Sequence, residues 1–398
     1  MKRIYLDTAA GTPVAKEVWR AMKPFWTKNF GNPSGIHTEG EIAGQALAEA
    51  RQAIAGHLAA RSSEIIFTAG GTESNNLAIF GVAGAWQKKA GRPGHIITTK
   101  IEHKSVLRPV AELAKRGWAV DYLPLRTDGS VDLVELEKTL RPNTALVSVG
   151  YVNNEIGTIA PLKKISRLLR RQTSKIYFHT DACQAPRFLP IRPNDLGVDL
   201  LTANAAKIYG PKGAGLLYAR QTVPLEALLV GGGQEAGRRS GTENVPAVVG
   251  LARALTLCEK LREKETARLT ILRDYLITEV LRLVPEVAVN GGQDNRVANN
   301  ANFYLPGLSA ERLVIELDAR GIACSTGSAC SSNDGHESHV VAAVNPAPAA
   351  ASASLRFSLG RETTKRQINY LLRTLPPLVQ KLRADEQWQK SLAEDSKY

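Results

Sequence analysis

Between Glu64 and about Arg220 the chain alternates short, almost wholly apolar runs with longer stretches whose apolar positions recur every three to four residues. The apolar runs, at 65–68, 95–99, 119–123, 145–149, 176–180, 198–202 and 214–219, are too short for helices and read as buried strands. Strands separated by helical stretches predict an α/β chain built on a mainly parallel sheet with helices on its faces. From Val245 to Val284 the positions Val248, Leu251, Leu255, Cys258, Leu269 and Leu276 keep the helical period, so one long amphipathic helix is expected to bridge two domains. Beyond it, runs at 286–289, 302–305 and 355–359 and a helical stretch at 310–319 predict a smaller α+β unit. The Ala, Pro and Ser-rich stretch 342–353 reads as a mobile connector. The chain contains no internal repeat.

Composition narrows this picture. A chain of 398 residues that is 43% hydrophobic and 22% charged can bury a large core in two domains. The expected division is a large unit at 14–257 and a smaller one formed by 1–13 and 258–398, which carries a cysteine-bearing loop at about 323–354. Four cysteines without paired metal-ligand spacing are neither a disulfide framework nor a zinc site. His336 and His339 have a spacing compatible with a metal on a helix, yet no third ligand accompanies them, so a solvated loop without metal is expected. No apolar run is long enough to span a bilayer, and the expected location is the cytoplasm. The net charge of +13 comes from scattered residues with short clusters at Lys163-Lys164, Arg167-Arg170-Arg171 and Arg238-Arg239. Without interleaved aromatics these read as a solvated surface, with no direct nucleic-acid or membrane partner expected.

Four segments carry candidate chemistry. Cys330 sits in Ser328-Ala329-Cys330-Ser331-Ser332, among small polar residues that give a thiol access, which makes it a candidate nucleophile; a surface turn with an incidental thiol is the alternative. Lys207 follows a strand and a small-residue turn, a place where an amine can meet a cofactor. Asp181 ends the strand-like 176–180 run. Ala69-Gly70-Gly71-Thr72 leads from a strand into a helix, where glycines and a free helix N-terminus can cradle a phosphate with Thr72 adding a hydroxyl, although such a segment alone is often only a turn. A lysine, a carboxylate and a phosphate cradle are what pyridoxal phosphate requires of a protein.

Taken in order, these segments resemble the cysteine desulfurases of the NifS/IscS type, in the class V aminotransferase group of fold-type I pyridoxal phosphate enzymes. The likeness runs from Tyr5-Leu6-Asp7 and Gly31-Asn32-Pro33-Ser34 through Thr72-Glu73-Ser74-Asn75-Asn76, Glu102-His103-Lys104, Val152-Asn153-Asn154-Glu155 and Asp181-Ala182-Cys183-Gln184. It continues through Lys207, Arg239-Ser240-Gly241-Thr242, the Cys330 segment and Arg356-Phe357-Ser358. It implies removal of sulfur from L-cysteine, giving L-alanine and a persulfide on Cys330 that passes to an acceptor protein, a scaffold or thiolation enzyme, for iron–sulfur cluster assembly or for thiolation of tRNA or cofactors.

The resemblance also implies the remaining roles. Lys207 would carry the cofactor and move the substrate Cα proton, Asp181 would hold the ring nitrogen protonated, and His103 would stack on the ring and handle protons. Gly71 and Thr72 would cradle the phosphate. Gln184 would bind the phenolic oxygen, and Asn154 would lie near the ring and the substrate carboxylate. Arg356 would hold that carboxylate by its planar fork. Thr242 would reach the phosphate in a neighbouring copy, making a homodimer with shared sites. Cys183 and Cys258 read as packed residues, and Cys324 as a remote candidate for resolving a persulfide. Two positions depart from the pattern: Ala206 and Asn204 stand where most relatives carry a histidine and a serine that touch the phosphate. Asn204 can still donate through its amide, but Ala206 cannot. Another class V enzyme, such as a selenocysteine lyase or an aminotransferase, and a non-catalytic scaffold paralogue are the alternatives.

Overall fold

The apolar runs are continuous rather than alternating because the sheet they form is covered on both faces. The computed structural model of the protein describes residues 3–327, 337–347 and 349–395. Cys330 and His336 lie outside the described residues. After a two-residue strand β1 (Ile4–Tyr5), seven strands share one sheet: β2 (Ile65–Thr68), β3 (His95–Thr99), β4 (Ala119–Leu123), β5 (Thr144–Ser148), β6 (Tyr177–Asp181), β7 (Leu200–Asn204) and β8 (Gly215–Ala219). Their order is β2-β8-β7-β6-β5-β3-β4. The pairings from β7 across to β4 are parallel, and only β8 runs antiparallel to its neighbours β2 and β7. Every residue of β2, β3, β5 and β8 is buried. The α/β expectation therefore holds, with strand limits displaced by one or two residues.

Parallel strands need crossover helices, and these set the direction of the whole sheet. The carboxyl ends of β3, β5, β6 and β7 all open on one edge, which is where ligands sit in such sheets. The Gly71–Ala90 helix begins at that edge, three residues after β2 ends.

The long periodic stretch is a single 39-residue helix, Val245–Leu283. Asn244 caps it by accepting from the Ala247 N–H, and Pro246 occupies the first turn, where its missing donor costs nothing. At about 1.5 Å per residue it spans roughly 58 Å. It packs on the Thr38–Leu58 helix and on the Lys365–Asp395 helix. The second sheet joins β9 (Ala288–Val289), β10 (Asn300–Tyr304) and β12 (Ser354–Ser358) in the order β12-β10-β9. The strand β11 (Ile322–Ala323) pairs in parallel with β1, and Asp7 bridges to Ser358, so the start of the chain lies beside β12.

One expectation fails here. The stretch 342–353 is not a mobile connector: a helix, His339–Val344, occupies its start, and Ala350, Ala351 and Ala353 are buried. Small side chains allow close burial, and the backbone is tied in as well, with Ala353 O accepting from the Leu305 N–H and Ala351 O from the Ser338 N–H.

Candidate functional site

At the carboxyl edge of the sheet a cavity of about 270 Å³ is walled by Gly71, Thr72, His103, Asp181, Lys207 and Arg356. Asp181 is the last residue of β6, and Lys207 closes a short 3-10 turn, Ala205–Lys207, directly after β7. Adjacent parallel strands thus deliver a carboxylate and an amine to one cavity. The Lys207 ammonium donates to the Ala10 carbonyl at 2.6 Å. Gly70 has φ 156° and ψ −178°, a region reserved in practice for glycine, and it lets the chain turn from β2 into the helix. At Gly71 a Cβ would come within 2.8 Å of Cys183 Sγ, so only glycine leaves this wall of the cradle open.

A chain of hydrogen bonds ties the carboxylate to the imidazole. Asn75, one turn into the helix, donates from Nδ2 to Asp181 Oδ2 at 2.7 Å and to Ser105 Oγ at 2.8 Å. Ser105 lies 2.7 Å from His103 Nδ1 through its hydroxyl and donates its backbone N–H to the same nitrogen at 3.1 Å. A backbone N–H can only donate, so Nδ1 is the acceptor and the neutral ring carries its proton on Nε2. Burial holds the His103 pKa below the usual imidazole value, against the pull of Asp181. Asp181 Oδ1 accepts from the Cys183 N–H at 2.9 Å.

Glu102, the residue before His103, is pushed up to about 7 by burial, opposed by the hydrogen bonds it accepts from Gly150 N–H and Thr99 Oγ1 and reinforced by the nearby Asp181 charge. His179, inside the sheet between Ser148 and Thr202, is driven down to about 4 by burial and stays neutral. The negative charge at Asp181 is therefore not shared with an ionised imidazole.

Across the cavity, Arg356 is 1% exposed in the middle of β12. Its guanidinium donates to the Asn154 and Gly327 carbonyls, both at 2.9 Å, and pairs with Asp7 at 2.7 Å, while Nε is buried with no partner. The arginine is thus positioned by three contacts and retains an orphan donor, which a carboxylate would satisfy. Arg356→Lys should raise the apparent KM for an α-amino acid carboxylate about 10- to 100-fold, the loss of one charge-assisted hydrogen bond of roughly 1.5–3 kcal/mol, with a smaller change in kcat. Steady-state kinetics with unchanged KM would remove Arg356 from substrate contact.

The expected residues largely converge. Lys207, Asp181, His103, Gly71, Thr72, Asn154, Gln184, Asn204 and Arg356 all border the cavity. Asn204 Oδ1 accepts from the Ala206 N–H at 2.9 Å, so the amide Nδ2 is what it can offer a phosphate. Gln184 donates one amide hydrogen to Ala9 O at 2.9 Å and keeps a second. Thr242 does not join them: it is exposed and borders no part of this cavity.

Cys183 lies in the wall, but burial and the Asp181 charge raise its thiol pKa, and burial pushes Cys324 up to about 12; neither is a thiolate at neutral pH. His339 was expected in a solvated loop, yet its Nε2 lies 3.0 Å from the Glu102 carbonyl and its ring borders the cavity. Sequence reasoning also missed Asn75, Ser105 and Glu102 as parts of the site; Asn75 follows Thr72 by three residues, the spacing that stacks side chains on one helix face.

These residues fit pyridoxal phosphate. The amine and the carboxylate face one cavity, the glycine wall and helix N-terminus offer unpaired N–H groups for a phosphate, and Arg356 Nε and Asn75 Oδ1 are buried polar atoms awaiting partners.

The comparisons with known proteins agree. The Aminotransferase class-V family model matches residues 4–371. Cysteine desulfurase IscS of Dictyoglomus turgidum is 47% identical over 384 residues, covering 96% of each chain. Among solved structures, a NifS-like protein superposes with a TM-score of 0.89 at 33% identity over 96% of this chain and 100% of its own. The structure titled SspA in complex with cysteine superposes with a TM-score of 0.78 at 38% identity over 89% and 98%. With family, fold and cavity in agreement along nearly the whole chain, this protein belongs to the class V aminotransferases, among the pyridoxal phosphate-dependent cysteine desulfurases.

Proposed function

We propose that the cavity removes sulfur from L-cysteine, with Cys330 as the group that receives it. The observation that carries this reading is the meeting of Lys207, Asp181 and neutral His103 on one side of a cavity whose other side presents Arg356. Bound pyridoxal phosphate supplies an electron sink for the substrate Cα and so makes the carbon–sulfur bond cleavable.

The chain's own residues do the rest. Arg356 holds the substrate carboxylate and so fixes which Cα bond faces Lys207. Lys207 Nζ, brought to the cavity by β7, takes and returns the proton at Cα. Asp181, braced by Asn75 and Cys183 N–H, would offer its carboxylate to the cofactor's ring nitrogen. His103, with its proton on Nε2, donates into the cavity and is aligned by Ser105. The Gly71–Ala90 helix N-terminus, Thr72 and Asn204 Nδ2 would hold the cofactor's phosphate. In the transfer itself the Cys330 sulfur bonds to the substrate sulfur, the carbon leaves with the electron pair and gains a proton, and L-alanine and a Cys330 persulfide result; electrons balance without an outside oxidant.

The same reading includes a second copy of the chain. Thr242 stands outside its own cavity, and Ile36, Val230 and Phe30 are 95%, 88% and 71% exposed, apolar side chains that a partner subunit would cover. The persulfide is expected to pass to an acceptor protein for iron–sulfur cluster assembly or thiolation.

Incubation with L-cysteine and a thiol reductant should release alanine and sulfide in equal amounts. Cys330→Ser should keep its cofactor and still respond spectroscopically to cysteine, yet carry no persulfide. A persulfide of parental yield on Cys183 or Cys324 in that variant would displace Cys330 from the mechanism.

A further inference from the structure

The opposite edge of the large sheet holds a second cavity, of about 460 Å³, that plays no part in the chemistry above. It lies where β6 and β7 begin and β8 ends, bordered by Ile176 and Phe178, by Asp199 and by Arg220. At about 3.3 Å per residue, the five-residue β6 sets it roughly 16 Å from the carboxylate of Asp181. Its rim is the turn that follows the Leu162–Leu169 helix and carries Arg170, Gln172, Thr173, Ser174 and Lys175.

Charge is unbalanced there. Between Glu155 and Asp181 the chain has six cations, Lys163, Lys164, Arg167, Arg170, Arg171 and Lys175, and no carboxylate. Three cations border the cavity against one carboxylate, Asp199. Arg220 Nε already holds Asp199 at 3.1 Å, and the Phe178 N–H donates to its other oxygen at 3.1 Å. Lys175 reaches it only at 3.9 Å, and Arg170 has no ion-pair partner among the described residues. The C-terminus of the short helix adds about half a negative charge. That does not cancel the excess of full positive charges.

The shape of the floor is specified as well. Gly197 has φ 75°, and a Cβ there would clash with Ser166 Oγ, whose hydroxyl donates to the Gly197 carbonyl at 2.8 Å. The Arg170 guanidinium lies within van der Waals reach of this turn, and Arg170 borders the cavity. The result is a concave surface with an apolar floor and a rim made of donors: Arg170, which has no ion-pair partner among the described residues, Lys175, which shares Asp199 with Arg220 at the longer distance of 3.9 Å, two hydroxyls and an amide.

We propose that this cavity is a binding site for a small phosphorylated molecule, its phosphate held by Arg170, Lys175 and the Thr173 and Ser174 hydroxyls. Concavity favours a small ligand over the flat acidic face of a protein. Nucleic acid is disfavoured because no exposed aromatic is available for base stacking, Phe178 being 2% exposed and the Tyr177 ring already lying under Lys175. Guanidinium, ammonium and hydroxyl donors match phosphate oxygens in number and in charge.

The test is calorimetric titration of the cofactor-loaded enzyme with inorganic pyrophosphate, with the cofactor's visible absorbance followed to show that the other phosphate site stays occupied. One saturable event per chain is expected, weakening as salt is added. Arg170→Gln/Lys175→Gln should weaken it by about tenfold or more, as loss of two charge-assisted contacts demands. Lys163→Gln/Lys164→Gln, two turns away on the exposed face of the same helix, should leave it unchanged, and both variants should desulfurate cysteine at the parental rate. Absence of saturable binding at millimolar pyrophosphate, or equal losses in the two variants, would overturn the proposal, the second by showing diffuse charge rather than a site. A glutamate-rich peptide that binds more tightly than pyrophosphate and is weakened by both variants would also overturn it and make the face a protein-docking surface. Because the four side chains are exposed, folding is preserved; should Arg170→Gln/Lys175→Gln still prove unstable, protection of Arg170 by pyrophosphate from an arginine-selective reagent reads the same contact in the parent chain, and equal modification with and without pyrophosphate counts against it.

Discussion

Lys207→Ala is expected to abolish covalent attachment of the cofactor and to cut alanine formation from cysteine by at least about 10²- to 10⁴-fold, the range for removing a positioned proton-transfer group. In the proposed reaction the lysine would combine two functions in one atom: Nζ would attach the cofactor and would move the proton at the substrate Cα, so the variant loses both. Its effect on folding should be small, because Lys207 lies at the edge of a cavity open to water, where its ammonium donates to Ala10 O, and not in the packed core. Borohydride reduction followed by peptide mass spectrometry locates the attachment. Lys212, five residues on and exposed, is the only nearby competitor in the same loop. A cofactor adduct on Lys212 in the parent protein, or parental turnover in Lys207→Ala, would end the assignment.

The ease with which Lys207 and Asp181 were found, and the failure to find their supports, have one physical origin. Asp181 ends an apolar strand and Lys207 closes the turn directly after one, and in a parallel sheet a strand end is also an address, since all such ends open on one edge. Local pattern was therefore enough to place them. The phosphate cradle was legible for the same reason, as a strand, two glycines and a helix start in immediate succession. The network around them was not, because its links cross the chain. Asn75 meets Asp181 across 106 residues, His339 meets Glu102 across 237, and Asp7 meets Arg356 across 349. No periodicity encodes which helix start faces which strand end; that is decided by the order in which strands are laid into the sheet. The family resemblance supplied Arg356, but not the two carbonyls and the aspartate that hold it. Composition misled once, at 342–353, where alanines at 350, 351 and 353 are nonetheless buried, held by backbone hydrogen bonds that Ser338, Leu305 and Ala310 donate to Ala351, Ala353 and Ser352.

Asp181→Asn should leave the cofactor attached to Lys207 and reduce kcat about 100- to 1000-fold, as expected when a preorganised charge facing the reacting group is neutralised. The substitution is nearly isosteric, and the surroundings can absorb it. Its oxygen can still accept the Cys183 N–H, and its new amide hydrogens would face Asn75, whose Oδ1 has no partner in the parent and can turn to accept them. Packing and hydrogen bonding therefore survive while the charge does not. A merely structural role predicts a lower melting temperature with kcat kept. The electrostatic role predicts the reverse, and it makes a second demand on His103. Asp181 raises the His103 pKa against the depression caused by burial. With that charge gone the imidazole should titrate at still lower pH, so the histidine resonance that shifts with pH in the parent should move in the acid direction in the variant. Near-parental turnover, or an unmoved His103 titration, would mean that the carboxylate at the end of β6 does not act on the cavity through its charge.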